Sequence, residues 1–183
     1  MSKTGIINVA KRVETNSRSS KRLREAGFLP GNVYGNGVVS IPVMVKKEEL
    51  RKNLSEYGRN AIFKLALDDG EVFNIIVKEV QYAPVGRKPL HVNFQNVSFD
   101  EKIKADVAIR LVGTDHLEAK RMLVLQHVDF LPVSGLPQDI PDQLELDVSE
   151  IDFGDNIFIK DLKLPDNICA LIDMNELVAS ASS

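Results

Sequence analysis

Through most of this chain apolar residues fall at every second position, and only two short segments replace that rhythm with helical spacing. The β-branched run IINVAKRV at 6–13 predicts a first strand that ends in basic residues. Residues 14–17 are polar and read as loop. Ser19 or Ser20 is placed to cap a helix of about two turns. In that helix Leu23 and Ala26 face inward, with Lys21, Arg22, Arg24 and Glu25 outside. Gly27 supplies the C-terminal stop and Pro30 prevents continuation. Strands at 32–34 and 38–45 follow around the turn Gly35-Asn36-Gly37. Segment 46–56 (KKEELRKNLSE) predicts a second helix, with Leu50 and Leu54 as its buried stripe and its charges as a solvated face. Strands at 61–67 and 71–81 make a hairpin around Asp68-Asp69-Gly70. The strand LHVNFQ at 90–95 puts Leu90, Val92 and Phe94 on one face and His91, Asn93 and Gln95 on the other.

The second half stays strand-like. Residues 102–111 alternate up to Gly113, and 122–130 form another apolar stretch. LPVSGLPQDIP at 131–141 is proline-rich and predicts an ordered extended connection rather than a helix. Short strands are expected at 144–148, 156–159 and 167–172, and the closing VASASS is expected to fray. The fold class that follows is mainly β with two short helices (α+β). A small N-terminal β-barrel with helices at its ends covers 1–95, and an all-β, sandwich-like domain covers 96–183.

Charge sharpens that division. The net charge of −3 is the difference between two unlike halves: residues 1–95 carry +7, and residues 96–183 carry −10. A basic half suits phosphate backbones and an acidic half repels them, although charge alone fits a dipolar enzyme with no nucleic-acid partner equally well. No apolar run is long enough to span a bilayer and the first residues lack a signal-peptide core, so a cytoplasmic protein is expected. The single Cys169, in the setting ICALI, reads as a small buried residue.

Catalytic signatures are missing. There is no Cys-x-x-Cys or His-Glu-x-x-His spacing, no phosphate loop, no Gly-x-Gly-x-x-Gly and no Gly-x-Ser-x-Gly, and the three histidines are scattered. The expectation is a protein that is not an enzyme and has no metal, cofactor or small-molecule substrate. A binding surface is better supported. Arg18, Lys21, Arg22 and Arg24 crowd into seven residues, with Arg12 before them. Tyr34, Gln81, His91 and Asn93 are candidates to share their face. Lys and Arg neutralise phosphates, Tyr stacks, and Gln, His and Asn pair with base edges and ribose 2′-hydroxyls. Singly, each has a plainer reading: solubilising cations, a core tyrosine, the wet side of an edge strand.

The motifs RLREAGFLPGNVYG, EVQYAP and LHVNF resemble the signatures of a bacterial ribosomal protein family, the L twenty-five family, whose long form is also called general stress protein Ctc. LPQDIPDQLELDVSEIDFGDNIFIKDLKLP at 136–165 is similar to the long form's second half. The resemblance implies an N-terminal barrel that binds the loop E region of 5S ribosomal RNA. The implied contacts are Arg12, Arg18, Ser20, Lys21, Arg24, Tyr34, Gln81, His91 and Asn93. A distorted, widened groove is the sensible target, since a regular A-form major groove is too deep and narrow to read. A monomer within the ribosome is implied, with neighbouring large-subunit proteins as partners of the acidic domain. The alternative is a stress-associated protein-binding module acting through that domain. Two departures stand out: the family reads His-x-Asp-Phe where this chain has Asn93, and a Gly-Gly common in long members is missing from 114–123, so the turn there is expected to be built differently.

Overall fold

A computed structural model describes residues 5–114 and 122–182. The chain forms two compact units, Met1–Glu101 and Lys102–Ser183. The first contains β1 (Gly5–Lys11), α1 (Ser17–Glu25), β2 (Phe28–Gly35), β3 (Val38–Lys46), α2 (Lys47–Tyr57), β4 (Phe63–Leu67), β5 (Val72–Tyr82) and β6 (Pro89–Asn96). The six strands close into a barrel in the order β1-β3-β2-β6-β5-β4, with β1 lying parallel to β4 and β2 parallel to β6. Alternation fills the interior: Ile7 and Val9, Leu29 and Val33, Val43 and Val45, Phe63 and Leu65, Ile75 and Val77, Val92 and Phe94 all point inward. β2 begins earlier than its residues suggest, at Phe28, so that Leu29 and Pro30 are buried within it.

α2 lies against β1 and β3 and carries Leu50 into the barrel core. Its second buried residue is Asn53 rather than Leu54, which is half-buried. Asn53 Nδ2 donates to the carbonyls of Ile6 at 3.2 Å and Glu49 at 3.0 Å, so the buried amide nitrogen is satisfied. α1 lies against β2. Its cap is Asn16 rather than a serine: Asn16 is extended and its Oδ1 accepts from the Ser19 amide at 2.8 Å. The helix starts earlier than expected and stops where expected, with Gly27 just past its cap. Ala26 is the C-cap and is exposed, and Arg24, not Ala26, turns toward the barrel. Gly27 takes φ +88°, a conformation that favours glycine, and its carbonyl accepts from the first amide of α2 at 3.0 Å.

The second unit is all-β. It contains β7 (Ile103–Val112), β8 (Leu123–Gln126), β9 (Phe130–Gly135), β10 (Gln143–Asp147), β11 (Asn156–Phe158), β12 (Cys169–Ala170) and β13 (Leu177–Ser182), with a 3-10 turn at Ile159–Asp161. Two sheets form, β10-β7-β9-β12 and β11-β13-β8. The stretch 122–130 is therefore not one strand: β8 and the start of β9 belong to different sheets. The expected connection at 131–141 begins as β9, an inner strand. Pro132 is tolerated there because its carbonyl side faces β12, which is only two residues long; the Leu171 amide, just past β12, still bonds to the Pro132 carbonyl. Through Ser182, the last residue described, the closing segment does not fray. Leu177–Ser182 is the middle strand of its sheet and buries Val178, Ala179 and Ala181. Cys169 is exposed, since Ile168 takes the inward position beside it. The turn expected to differ at 114–123 lies mostly outside the described residues.

The parallel pairing of β2 with β6 depends on Gly31, opposite Val92. A Cβ at Gly31 would sit 2.6 Å from the Val92 carbonyl oxygen, a contact that backbone cannot relieve without separating the strands. Gly31→Ala is expected to destabilise the first unit by about 1–3 kcal/mol in urea denaturation. Wild-type stability in that variant would contradict the close approach.

Candidate nucleic-acid interface

Three adjacent strands build one outer face. Where a pair of residues faces each other across two strands, both side chains lie on the same side. The β2–β6 register therefore groups Asn32 with Asn93 and Tyr34 with Gln95, while Val33 and Phe94 go inside. The β5–β6 register pairs Gln81 with His91 and Glu79 with Asn93. That second alignment depends on an irregularity between Val77 and Glu79, where Lys78 is the extra residue. Without the bulge, strict alternation from Val77 would send Glu79 inward and Val80 outward.

The cations divide into two sets. Arg12 and Arg24 are half-buried against the barrel, whereas Arg18, Lys21 and Arg22 are exposed on α1. Arg12 holds the 12–20 segment together: its Nη2 donates to the Glu14 carbonyl at 3.0 Å and to Ser20 Oγ at 3.0 Å, and reaches Ser19 Oγ at 3.4 Å. Its Nε is buried with no partner. Burial and the nearby Arg24 both work against the Arg12 charge, which marks the two guanidiniums as neighbours. Arg24 donates from Nη1 to the Leu90 carbonyl at 3.4 Å, which brings α1 to the beginning of β6.

His91 feels all of this. Burial lowers its pKa below the ordinary value, the charges of Arg12 and Arg24 lower it further, and Glu79 opposes them. Tyr34 is shifted upward, first by burial and then by Glu79, so its hydroxyl stays protonated and able to donate. Asn93 Nδ2 donates to Glu79 Oε2 at 3.1 Å. Arg12, Ser20, Arg24 and His91 thus form one linked group, and Tyr34 and Asn93 join it through Glu79. Gln81 shares their side of the sheet by register. Arg18, Lys21 and Arg22 stand beside this group on the exposed side of α1. Among the described residues, no three His, Cys, Asp or Glu side chains gather as a metal ion would require, and no helix is long and apolar enough to cross a membrane.

The comparisons with known proteins match both units. The ribosomal L25p family matches residues 7–94, and the C-terminal domain of ribosomal protein TL5 matches residues 102–183. A protein of Lachnoclostridium phytofermentans named large ribosomal subunit protein bL25 is 46% identical over 173 residues, covering 94% of this chain and 90% of its own length. The chain belongs to the ribosomal L25p family. Proteins of the same name from a Thermoanaerobacter species (34% identical; 91% of this chain, 83% of theirs) and from Thermosipho africanus (33%; 100% and 87%) agree. The family is one of structural proteins of the large ribosomal subunit, not of enzymes.

For a ribosomal L25p protein, two residues that shape this site escape a reading of motifs. Glu79 lies inside EVQYAP, but an acid among cations does not announce itself as part of an RNA-binding surface; only the bulged register puts it opposite Asn93. Lys47 opens a helix whose charges read as solvated, yet its amine donates to the Arg24 carbonyl and so fastens the C-terminus of α1. No sequence signal marks it.

The His91 environment is directly measurable. In a proton NMR titration its ring is expected to titrate below 6.5, lower still in Glu79→Gln and higher in Arg24→Ala. Because the folded pKa lies below the unfolded value, the neutral ring's contribution to stability is complete above 6.5. It is lost as pH falls from there toward the folded pKa. A His91 midpoint above 6.5 would contradict the stated surroundings.

Proposed function

We infer that this chain binds 5S ribosomal RNA, at its loop E region, through the outer face of β2, β6 and β5 together with α1. The observation that carries the reading is the convergence of Arg12, Arg24 and His91 beside Tyr34, Gln81 and Asn93, from four separate stretches of sequence, in a chain of a large-subunit ribosomal family. The division of labour follows from the contacts. Arg18, Lys21 and Arg22 are exposed and suited to phosphates, which fix register without reading sequence. Arg12 and Ser20 order the α1 segment, and Arg24 is held where its planar fork meets the face. Tyr34, Gln81, His91 and Asn93 offer stacking and hydrogen-bonding groups for base edges and ribose hydroxyls.

Residues 96–183, at a net charge of −10, are a poor match for further RNA. Their partner in this reading is a basic neighbouring protein of the large subunit, with the chain a monomer within the ribosome.

Footprinting of the full-length protein on 5S RNA tests the site. The wild type is expected to protect a confined segment, and Arg24→Ala and His91→Ala each to weaken binding roughly five- to hundredfold. Even protection across the RNA, unchanged in both variants, would contradict a specific face. The affinity should also fall with salt, by roughly 0.7–0.9 in log K per log salt for each phosphate contacted. Arg22→Ala is expected to reduce that slope by about one contact. A fragment ending at residue 101 is expected to keep the RNA affinity. A cut at 95 would instead remove Asn96, which pairs with Ile75, and the Val97 amide bond to Asn74.

A further inference from the structure

At the centre of the basic face stands a carboxylate that phosphate binding does not explain. Glu79 is exposed on β5, directly across from Asn93 on β6, and its charge is felt by both Tyr34 and His91. An anion in this position repels a phosphate backbone and weakens the sequence-independent part of RNA binding. Its chemistry suits a neutral hydrogen-bond donor instead.

The bond to Asn93 makes the chemistry more specific. An ionised carboxylate only accepts, so the atom facing Glu79 Oε2 at 3.1 Å must be the amide nitrogen of Asn93. That contact orients the amide and leaves Asn93 Oδ1 as an acceptor that Glu79 does not use. Together with the other Glu79 oxygen, it makes a patch on β5 and β6 in which acceptors outnumber the one remaining Asn93 N–H donor, bordered by Arg24 and His91. We propose that Glu79, with Asn93 held by it, is a specificity residue that reads a hydrogen-bond donor on the minor-groove side of the bound RNA.

This rests on the RNA-binding reading above. On that side of a duplex the base edges offer acceptors at every pair, and the 2-amino group of guanine is their only donor; the ribose 2′-hydroxyl is the other. Both suit a carboxylate, which accepts with charge-assisted strength. Glu79 then acts in two opposed ways, weakening attachment to any RNA and strengthening attachment to the right one.

The test uses the full-length chain with 5S RNA and with an unrelated RNA duplex of equal length. Glu79→Gln keeps the side-chain volume and removes the charge. Its affinity for 5S RNA is expected to fall about tenfold or more, whereas its affinity for the control duplex rises. Glu79→Asp keeps the charge but withdraws it by one methylene, and is expected to lose 5S affinity with the control unchanged. Inosine in place of the protected guanosines, which deletes the 2-amino group, should weaken wild type and leave Glu79→Gln unaffected; 2′-deoxy substitution does so if the hydroxyl is the donor. If Glu79→Gln tightens both RNAs by the same factor, Glu79 is only a charge and the proposal is overturned. If neither nucleotide change distinguishes wild type from Glu79→Gln, it is overturned as well. A wild type that does not separate 5S RNA from the control sinks the RNA reading itself, a result distinct from either of these.

Discussion

The double pairing of β6 holds the first unit and its outer face together. β6 runs parallel to β2 and antiparallel to β5, so it joins the two halves of the barrel and supplies Val92 and Phe94 to the core. The same registers dictate which polar residues become neighbours outside. Moving β6 by one residue against either partner would exchange its buried and exposed sets, so core packing and surface chemistry are tied to one alignment. Gly31, with no side chain, lets β2 approach closely enough for that alignment.

A short helix is then brought onto this frame by contacts that are mostly backbone and polar. Asn16 caps it, Arg12 gathers its first turn, and Lys47 and Gly27 join its end to the start of α2. Two of its neighbouring cations are thereby drawn close together and against His91; burial first, and the neighbouring positive charges second, lower the pKa of both Arg12 and His91. A face that gathers cations gains from an anionic partner, and Glu79, which opposes the lowering at His91, supplies part of that compensation within the protein.

Much of the architecture is legible in the residues because burial acts locally. Alternation marks five of the six barrel strands to within a few residues, Gly35-Asn36-Gly37 and Asp68-Asp69-Gly70 mark the turns, and Leu50 marks the buried side of α2. The misses have physical causes of their own. Serines 19 and 20 look like caps, but Asn16 wins because it sits at the extended residue where the helix begins. VASASS looks like a tail, yet small side chains suit a middle strand that must pack closely, and backbone bonds to β11 and β8 hold it. Cys169 has apolar neighbours, and a two-residue strand turned it outward.

Local pattern and composition determined the strands, the two helices, the basic and acidic halves and the motifs that point to a ribosomal family. Each of these depends on residues close together in sequence. Which polar groups meet was settled only by folding: the bulge at Lys78 aligns Glu79 with Asn93 and Gln81 with His91, and the docking of α1 brings Arg24 to the Leu90 carbonyl at the start of β6. These are contacts between distant segments. Their partners are chosen by strand register and by barrel closure, and neither is written in any one stretch of the chain.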